Sequence, residues 1–212
     1  MENVKRVLRR LFGKEKSHTR AARVWSNREI SRLAKHAVGE VINVSAWLDE
    51  DKEGRHYKDY FVNATGYYTS NYQGWRGIDE QSDFVIDLQL PAPTDCLEKF
   101  DLVFNHTTLE HIFDIHQAFR TLATMSRDSI LIVVPFMQHL HGPVDGDFWR
   151  PSPYAIRKLC AENGFEVCYE SAGPIGGKVR YYLFWASRAP EKWRVHLPKA
   201  AINSESILRK PL

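Results

Sequence analysis

The stretch FDLVFNHTTLEHIFDIHQAFRTLATMSRDSILIVVPF, residues 100–136, decides how the chain folds. Phe100-Asp101-Leu102-Val103-Phe104-Asn105 reads as a buried strand. Asp114 then offers an N-cap oxygen, and Ile115, Ala118, Phe119 and Leu122 recur at helical spacing as one apolar stripe. Ser129 to Pro135 is an unbroken apolar run, as expected of a central parallel strand covered on both faces. Strand, helix and strand in this order make a parallel α/β unit.

The pattern continues in both directions. Upstream, Ser26 and Glu29 have capping-box spacing, Ile30, Leu33, Ala34 and Ala37 share a face, and Gly39 ends the helix. A strand over 41–46 follows at once. Residues 47–66 are polar and hold at best a broken helix, after which Tyr67 to Ser70 form a strand running toward Asn71. Asp83 to Leu88 reads as a third strand, stopped by Pro91-Ala92-Pro93. Downstream, Ser152-Pro153 opens a helix through Cys160, closed by Asn163-Gly164, and strands near 165–170 and 179–187 complete the set. The expected architecture is α/β: a doubly wound, mostly parallel Rossmann-like sheet with helices on both faces and a C-terminal antiparallel strand. The expected divisions are a basic arm at 1–25, the domain at 26–188 and, at 189–212, an aperiodic C-terminal tail or wrapping arm. Open α/β sheets bind ligands beyond the carboxyl ends of their strands, so the positions just after 44, 70, 86, 105 and 135 carry the functional interest.

The chain has 212 residues, 43% hydrophobic and 26% charged, a composition of a globular protein with one sizeable core. It contains no run of eighteen apolar residues that could cross a bilayer as a helix, and its basic N-terminus lacks the apolar core of a signal peptide. Cys96, Cys160 and Cys168 have no metal-type spacing and read as reduced, mostly buried thiols of a cytoplasmic protein. The net charge of +3 is uneven, because residues 1–36 carry eleven Lys/Arg against three Asp/Glu. Val4, Val7, Leu8, Leu11 and Phe12 interleave with Lys5, Arg6, Arg9 and Arg10 as a short basic amphipathic helix. Such a helix docks on its own domain or a partner protein, or lies on the inner face of a membrane. No nucleic-acid-binding motif accompanies the charge.

The stretches at 100–125, 129–136 and 147–167, with Leu109-Glu110-His111 at their centre, resemble the class I S-adenosylmethionine-dependent methyltransferases. The likeness is nearest to the type 11-like branch found with cell-surface sugar biosynthesis. The resemblance implies S-adenosylmethionine as cofactor, held by Asn43, Ser45 and Ala46 after the first strand and Asn71 after the second. It implies Asp87 and Leu88 beside the adenine, with Asn105 and His106 after the fourth strand. Three departures stand out. Ser45, Ala46 and Trp47 occupy the places of the family's glycines, Asn71 replaces the acid that usually holds the ribose, and Ser126-Arg127-Asp128 stands where further glycines are common. The implied activity is O-methylation of a sugar or glycolipid intermediate of cell-surface polysaccharide synthesis. The alternative is a non-catalytic protein that keeps the fold as a partner or scaffold.

Five histidines fall in the loops beyond two strands: His106, His111 and His116, then His139 and His141. A histidine suits the removal of a hydroxyl proton during methyl transfer, and His111 and His141 are the candidates, with Asp147 to orient one of them. Asp147 and Arg150 equally suit a structural ion pair. His139 and His141 with a carboxylate could ligate zinc or iron, although His-x-His is common by chance and no second spaced pair exists.

Overall fold

The computed structural model describes residues 20–72, 82–140, 146–174 and 180–198. The amphipathic arm at 1–13, His141 and the last fourteen residues of the tail lie outside them. The first described element, α1 at 20–34, leads into β1 (Gly39–Val44), β2 (Ala64–Asn71) and a two-residue β3 (Phe84–Val85). The unit read from the sequence follows as β4 (Phe100–His106), α2 (Ile115–Met125) and β5 (Ser126–Met137). The chain continues through α3 (Pro153–Glu162), β6 (Glu166–Gly173), β7 (Arg180–Ser187) and the short α4 (Pro190–Arg194).

The seven strands form one sheet in the order β3-β2-β1-β4-β5-β7-β6. β1 pairs in parallel with β2 and β4, and β4 with β5, while β7 runs antiparallel to both of its neighbours. Alternation along the strands divides the core. Ile42, Val103, Ile130, Ile132 and Phe184 face α2 and α3, whereas Val41, Leu102, Phe104, Leu131 and Trp185 face α1 and α4. Both sets are buried, which is why β5 reads as a continuous apolar run. The caps of α2 and α3 are those the sequence offers: Asp114 Oδ1 accepts from Gln117 N at 2.9 Å and Ser152 Oγ from Ala155 N at 3.2 Å.

Four local features differ from the expectations. α1 runs on the N-terminal side of Ser26, with Ala22 fully buried, so the amides near Ser26 are satisfied within the helix and no cap is needed there. Ser26 Oγ instead donates to Arg23 O at 2.9 Å, and Glu29 Oε2 accepts from Ser171 Oγ at 2.9 Å and from the Tyr169 hydroxyl, pinning α1 to β6. The third strand shrinks to two residues at the sheet edge, where Ile86 and Leu88 leave the ladder to enter the core. The region expected to start the tail contains α4, whose Trp193 packs on Trp185 with ring centroids 4.7 Å apart. Trp193 Nε1 and Lys192 Nζ both donate to Asp128, which anchors α4 to the start of β5. Gly39 begins β1 at φ +94°, and a Cβ there would lie 2.1 Å from Asp101 Oδ2, the oxygen that accepts from Glu40 N.

Candidate active site

The crossover from β1 to β2 makes the first wall. Among its described residues, 45–63, the helical content is one 3₁₀ turn, Tyr57–Tyr60. The glycines of the resembled family are absent after β1, yet the loop takes left-handed backbone that favours glycine: Ser45, Trp47 and Asp49 adopt φ of 62°, 52° and 58°. Left-handed backbone costs an ordinary side chain about 1–2 kcal/mol per residue, so something must hold it. Asn71, at the end of β2, does so. Its Oδ1 accepts from Trp47 N at 2.6 Å and its Nδ2 donates to Trp47 O at 3.0 Å. Asp49 adds a second knot, accepting from Asn43 Nδ2, Lys58 N and the Tyr67 hydroxyl at 2.6–2.9 Å. Asp51, fully buried, accepts from the backbone amides of Glu53 and Arg55 and from the Tyr60 hydroxyl.

The floor is the carboxyl end of β4. Asn105 is buried beneath it, and its Nδ2 donates to Val44 O at 3.0 Å, tying β4 to β1. His106 follows, packed between the rings of Tyr57, Phe104 and Tyr181. Arg23 Nη1 lies 2.7 Å from His106 Nδ1, and Ser26 Oγ lies 3.0 Å from Nε2. Because the guanidinium can only donate, Nδ1 accepts and Nε2–H donates to Ser26, whose own proton goes to Arg23 O. Burial, reinforced by the Arg23 charge, pushes the imidazole well below its usual range, so it is neutral. Thr107, next in the chain, sits at φ 51°, a strained conformation for a β-branched residue.

Leu109–His111 then forms a 3₁₀ turn. Its Glu110 is 1% exposed, with Oε1 3.8 Å from His111 Nε2 and Oε2 buried without a hydrogen-bond partner among the described residues. Burial drives the Glu110 carboxyl up to about 8, against the opposing pull of its own backbone amide, Arg150 and Arg23. His111 is oriented by the carbonyl of Gly146, 2.6 Å from Nδ1. The Asp147 carboxylate takes both terminal nitrogens of Arg150, at 2.5 and 2.7 Å, an ion pair that fixes the loop beyond β5. His116 is on the outer side of α2, and His139 is exposed.

These elements enclose a cavity of about 700 Å³. Of the residues singled out in the sequence, Asn43, Ser45, Ala46, Asn71, Asp87, Leu88, His106 and His111 line it. Asn105 lies below it and Asp147 sits in the loop that orients His111. Arg23, Tyr57, Glu110 and Tyr181 also line it, and the sequence reading missed them as site residues. Only Glu110 had a local signal, its place in Leu-Glu-His. Arg23 and Tyr181 reach the site from sequence-distant elements. Among the described residues, no group of three or more His, Cys, Asp or Glu side chains could hold a metal ion, and no helix is long and apolar enough to cross a membrane.

Comparison with solved structures settles the architecture. The chain is similar to the [4+2]-cyclase SpnF, with a TM-score of 0.55, 12% identity, and coverage of 80% of this chain and 81% of that one. It is similar to a Haloferax volcanii protein solved in complex with the Trm112 methyltransferase activator, with a TM-score of 0.54, 12% identity, and coverage of 84% and 93%. It also matches the 1,6-didemethyltoxoflavin N1-methyltransferase of Burkholderia thailandensis, solved with that substrate and S-adenosylhomocysteine, with a TM-score of 0.51, 13% identity, and coverage of 88% and 89%. The chain has the class I methyltransferase fold. No family model and no curated protein matches it. The methyltransferase fold carries a cyclase as well as methyl-transferring enzymes among these neighbours, so the reaction must be argued from the site.

The residues present suit the cofactor of this fold. The cavity admits a nucleoside with an amino-acid tail, and the loop after β1 turns through left-handed residues that keep its backbone at the cavity wall. The cavity lining offers a carboxylate, Asp87, and a cation, Arg23, whose side-chain hydrogen-bond partners among the described residues, Tyr57, His106 and Thr107, are all neutral.

Proposed function

We propose that the protein is an S-adenosylmethionine-dependent methyltransferase acting on a hydroxyl of a sugar or glycolipid intermediate in cell-surface polysaccharide synthesis. The observation that carries this reading is the cavity itself. It opens at the carboxyl edge of a methyltransferase-fold sheet and is lined by an oriented histidine and a buried acid. Asp87 and Leu88 would hold the adenine, Ser45 and Ala46 the tail, and Arg23 the carboxylate. When bound, the cofactor supplies an electrophilic methyl group on a cationic sulfur. What the chain adds is alignment of the acceptor oxygen, which provides most of the rate in such a transfer, and a place for its proton. His111, with Nδ1 bonded to a carbonyl, presents Nε2 to the Glu110 side of the cavity. Trp47 and Tyr72, half-exposed rings in the wall, suit the apolar face of a sugar. Asp147 supports the loop that carries Gly146, and His141 remains a second candidate base.

Calorimetric titration with S-adenosylmethionine and S-adenosylhomocysteine tests the cofactor half of the reading. Micromolar binding, about 8 kcal/mol, is the expected result, and absence of binding refutes it. Such an absence would favour a second reading, a non-catalytic partner or scaffold. The use of both Asn71 amide atoms by the Trp47 backbone, at the position where the fold usually offers an acid to the ribose, supports that alternative.

A further inference from the structure

Glu110 stands out among the buried groups. A buried polar atom without a partner costs about 1–3 kcal/mol, more if it is charged, so such atoms persist where a ligand completes them. Glu110 Oε2 is one, on a residue that lines the cavity. Its backbone is held by the loop beyond β5, where Phe148 N and Trp149 N donate to Glu110 O at 2.8 and 3.3 Å. The groups that face it come from every neighbouring element: Arg23 from α1, Tyr181 from β7, Asp147 and Arg150 from the loop beyond β5, and His111 beside it. Arg150 is already spent on Asp147, and Arg23 is held against His106. Neither cation hydrogen-bonds the carboxyl, so their pull offsets only part of the cost of burying a charge on it.

We propose that Glu110 is the residue that takes the acceptor's proton, and that entry of the cationic cofactor converts it from the protonated to the ionised state. This rests on the methyl-transfer reading and deepens it. With the cavity empty, the carboxyl keeps its proton because burial outweighs its two cationic neighbours. A sulfonium brought into the same low-dielectric space supplies the missing counter-charge, and the proton leaves to solvent. In the transfer, the acceptor's O–H bond breaks as its oxygen forms the new bond to the methyl carbon. The pair of the old carbon–sulfur bond stays on sulfur, and the proton goes to the Glu110 carboxylate. His111 is then a positioning residue that keeps the acceptor oxygen on the Glu110 side.

The test compares the pH dependence of binding for two probes, S-adenosylmethionine and S-adenosylhomocysteine, in the full chain. They share the amino and carboxyl groups and differ in the methyl group and the charge it puts on sulfur; because a methyl group does not titrate, the pH dependence of the ratio of their affinities reports that charge. In wild type the ratio should rise up to about tenfold per pH unit between pH 6 and 8 and level off above. Calorimetry in buffers of different ionisation enthalpy should show proton release for the cation only. Glu110→Gln should bind the neutral probe as wild type does, with a flat ratio and no release. Glu110→Met, which leaves no polar atom to satisfy, gives the same reading if the amide does not fold. His111→Asn should keep the release. A release that survives both Glu110 variants, or disappears in His111→Asn, overturns the proposal while leaving the methyltransferase reading intact. Wild type that binds neither probe overturns both.

Discussion

Replacing Asn71 by aspartate would give the chain the acid usual for its fold, and the structure makes this substitution harmful. The two side chains have the same shape, so packing does not change at a position only 4% exposed. The hydrogen bonding does. Oδ1 can still accept from Trp47 N, but the donor to Trp47 O is lost, and a carboxylate oxygen replaces it 3.0 Å from a carbonyl oxygen. One lost bond costs about 1 kcal/mol, and a buried carbonyl left facing negative charge adds about another 1–2. A loss of about 2 kcal/mol corresponds to a fall of about 4–8 °C in Tm for a chain of this size. The defect must also depend on pH. A protonated carboxyl can donate to Trp47 O and restore the clasp, so the folded state raises the pKa of the new acid. Its stabilising contribution is present below the ordinary aspartate value and is lost as pH rises through the raised one. Thermal and urea melts of Asn71→Asp and wild type at pH 5 and pH 8 should therefore show a larger deficit at pH 8. A variant as stable as wild type at pH 8 would refute the claim that the amide, not an acid, is what this loop requires.

Three other outcomes are expected. His106 is neutral and pushed below its usual range, so its contribution is lost as pH falls below about 6.5, at up to about 1.4 kcal/mol per unit; a His106→Gln variant should show a flatter urea-midpoint profile between pH 6.5 and 5. Ser45→Gly relieves a left-handed serine and should change stability by less than about 1 kcal/mol, in the stabilising direction; a deficit above that in chemical denaturation would mean the hydroxyl bears a load. Trp193→Ala empties the contact with Trp185 and should cost about 3 kcal/mol; a change within experimental scatter would show that α4 does not belong to the folded unit.

What the sequence disclosed and what it hid follow a physical division. The β4–α2–β5 unit was legible because its signals are local: an Asp cap, a helical apolar stripe and a strand buried on both faces. The boundary of α1 was misread because Ser26 and Glu29 have the right spacing for a cap, and spacing cannot show that their side chains bond to His106, Tyr169 and Ser171 instead. The crossover at 47–66 reads as polar, yet Tyr57, Tyr60 and Phe61 are buried there against Phe104 and Val41, a long-range pairing with no short-range period. The loop after β1 is the clearest case. Its residue types argue against a glycine-like path, and only the clasp from Asn71, twenty-four positions away, makes that path tenable. Seven of the expected cofactor contacts border the cavity because strand ends are readable. Arg23 and the burial of Glu110 were not legible, since both depend on which elements meet above the sheet.

The crossover between β1 and β2 has a last consequence. Parallel strands are usually joined by a helix, whose ladder of main-chain bonds is indifferent to pH. Here two carboxylates do the fastening, Asp49 and Asp51 gripping amides and tyrosine hydroxyls. Although burial pushes Asp51 upward, the Tyr60 hydroxyl and the Arg55 and Glu53 amides hold it below the ordinary carboxylate value. Its contribution is therefore intact above about pH 4 and disappears as acid protonates it. The wall beside the cavity works as an ionic seam in place of a spring, and in strong acid that seam should part while the helices across the sheet still hold.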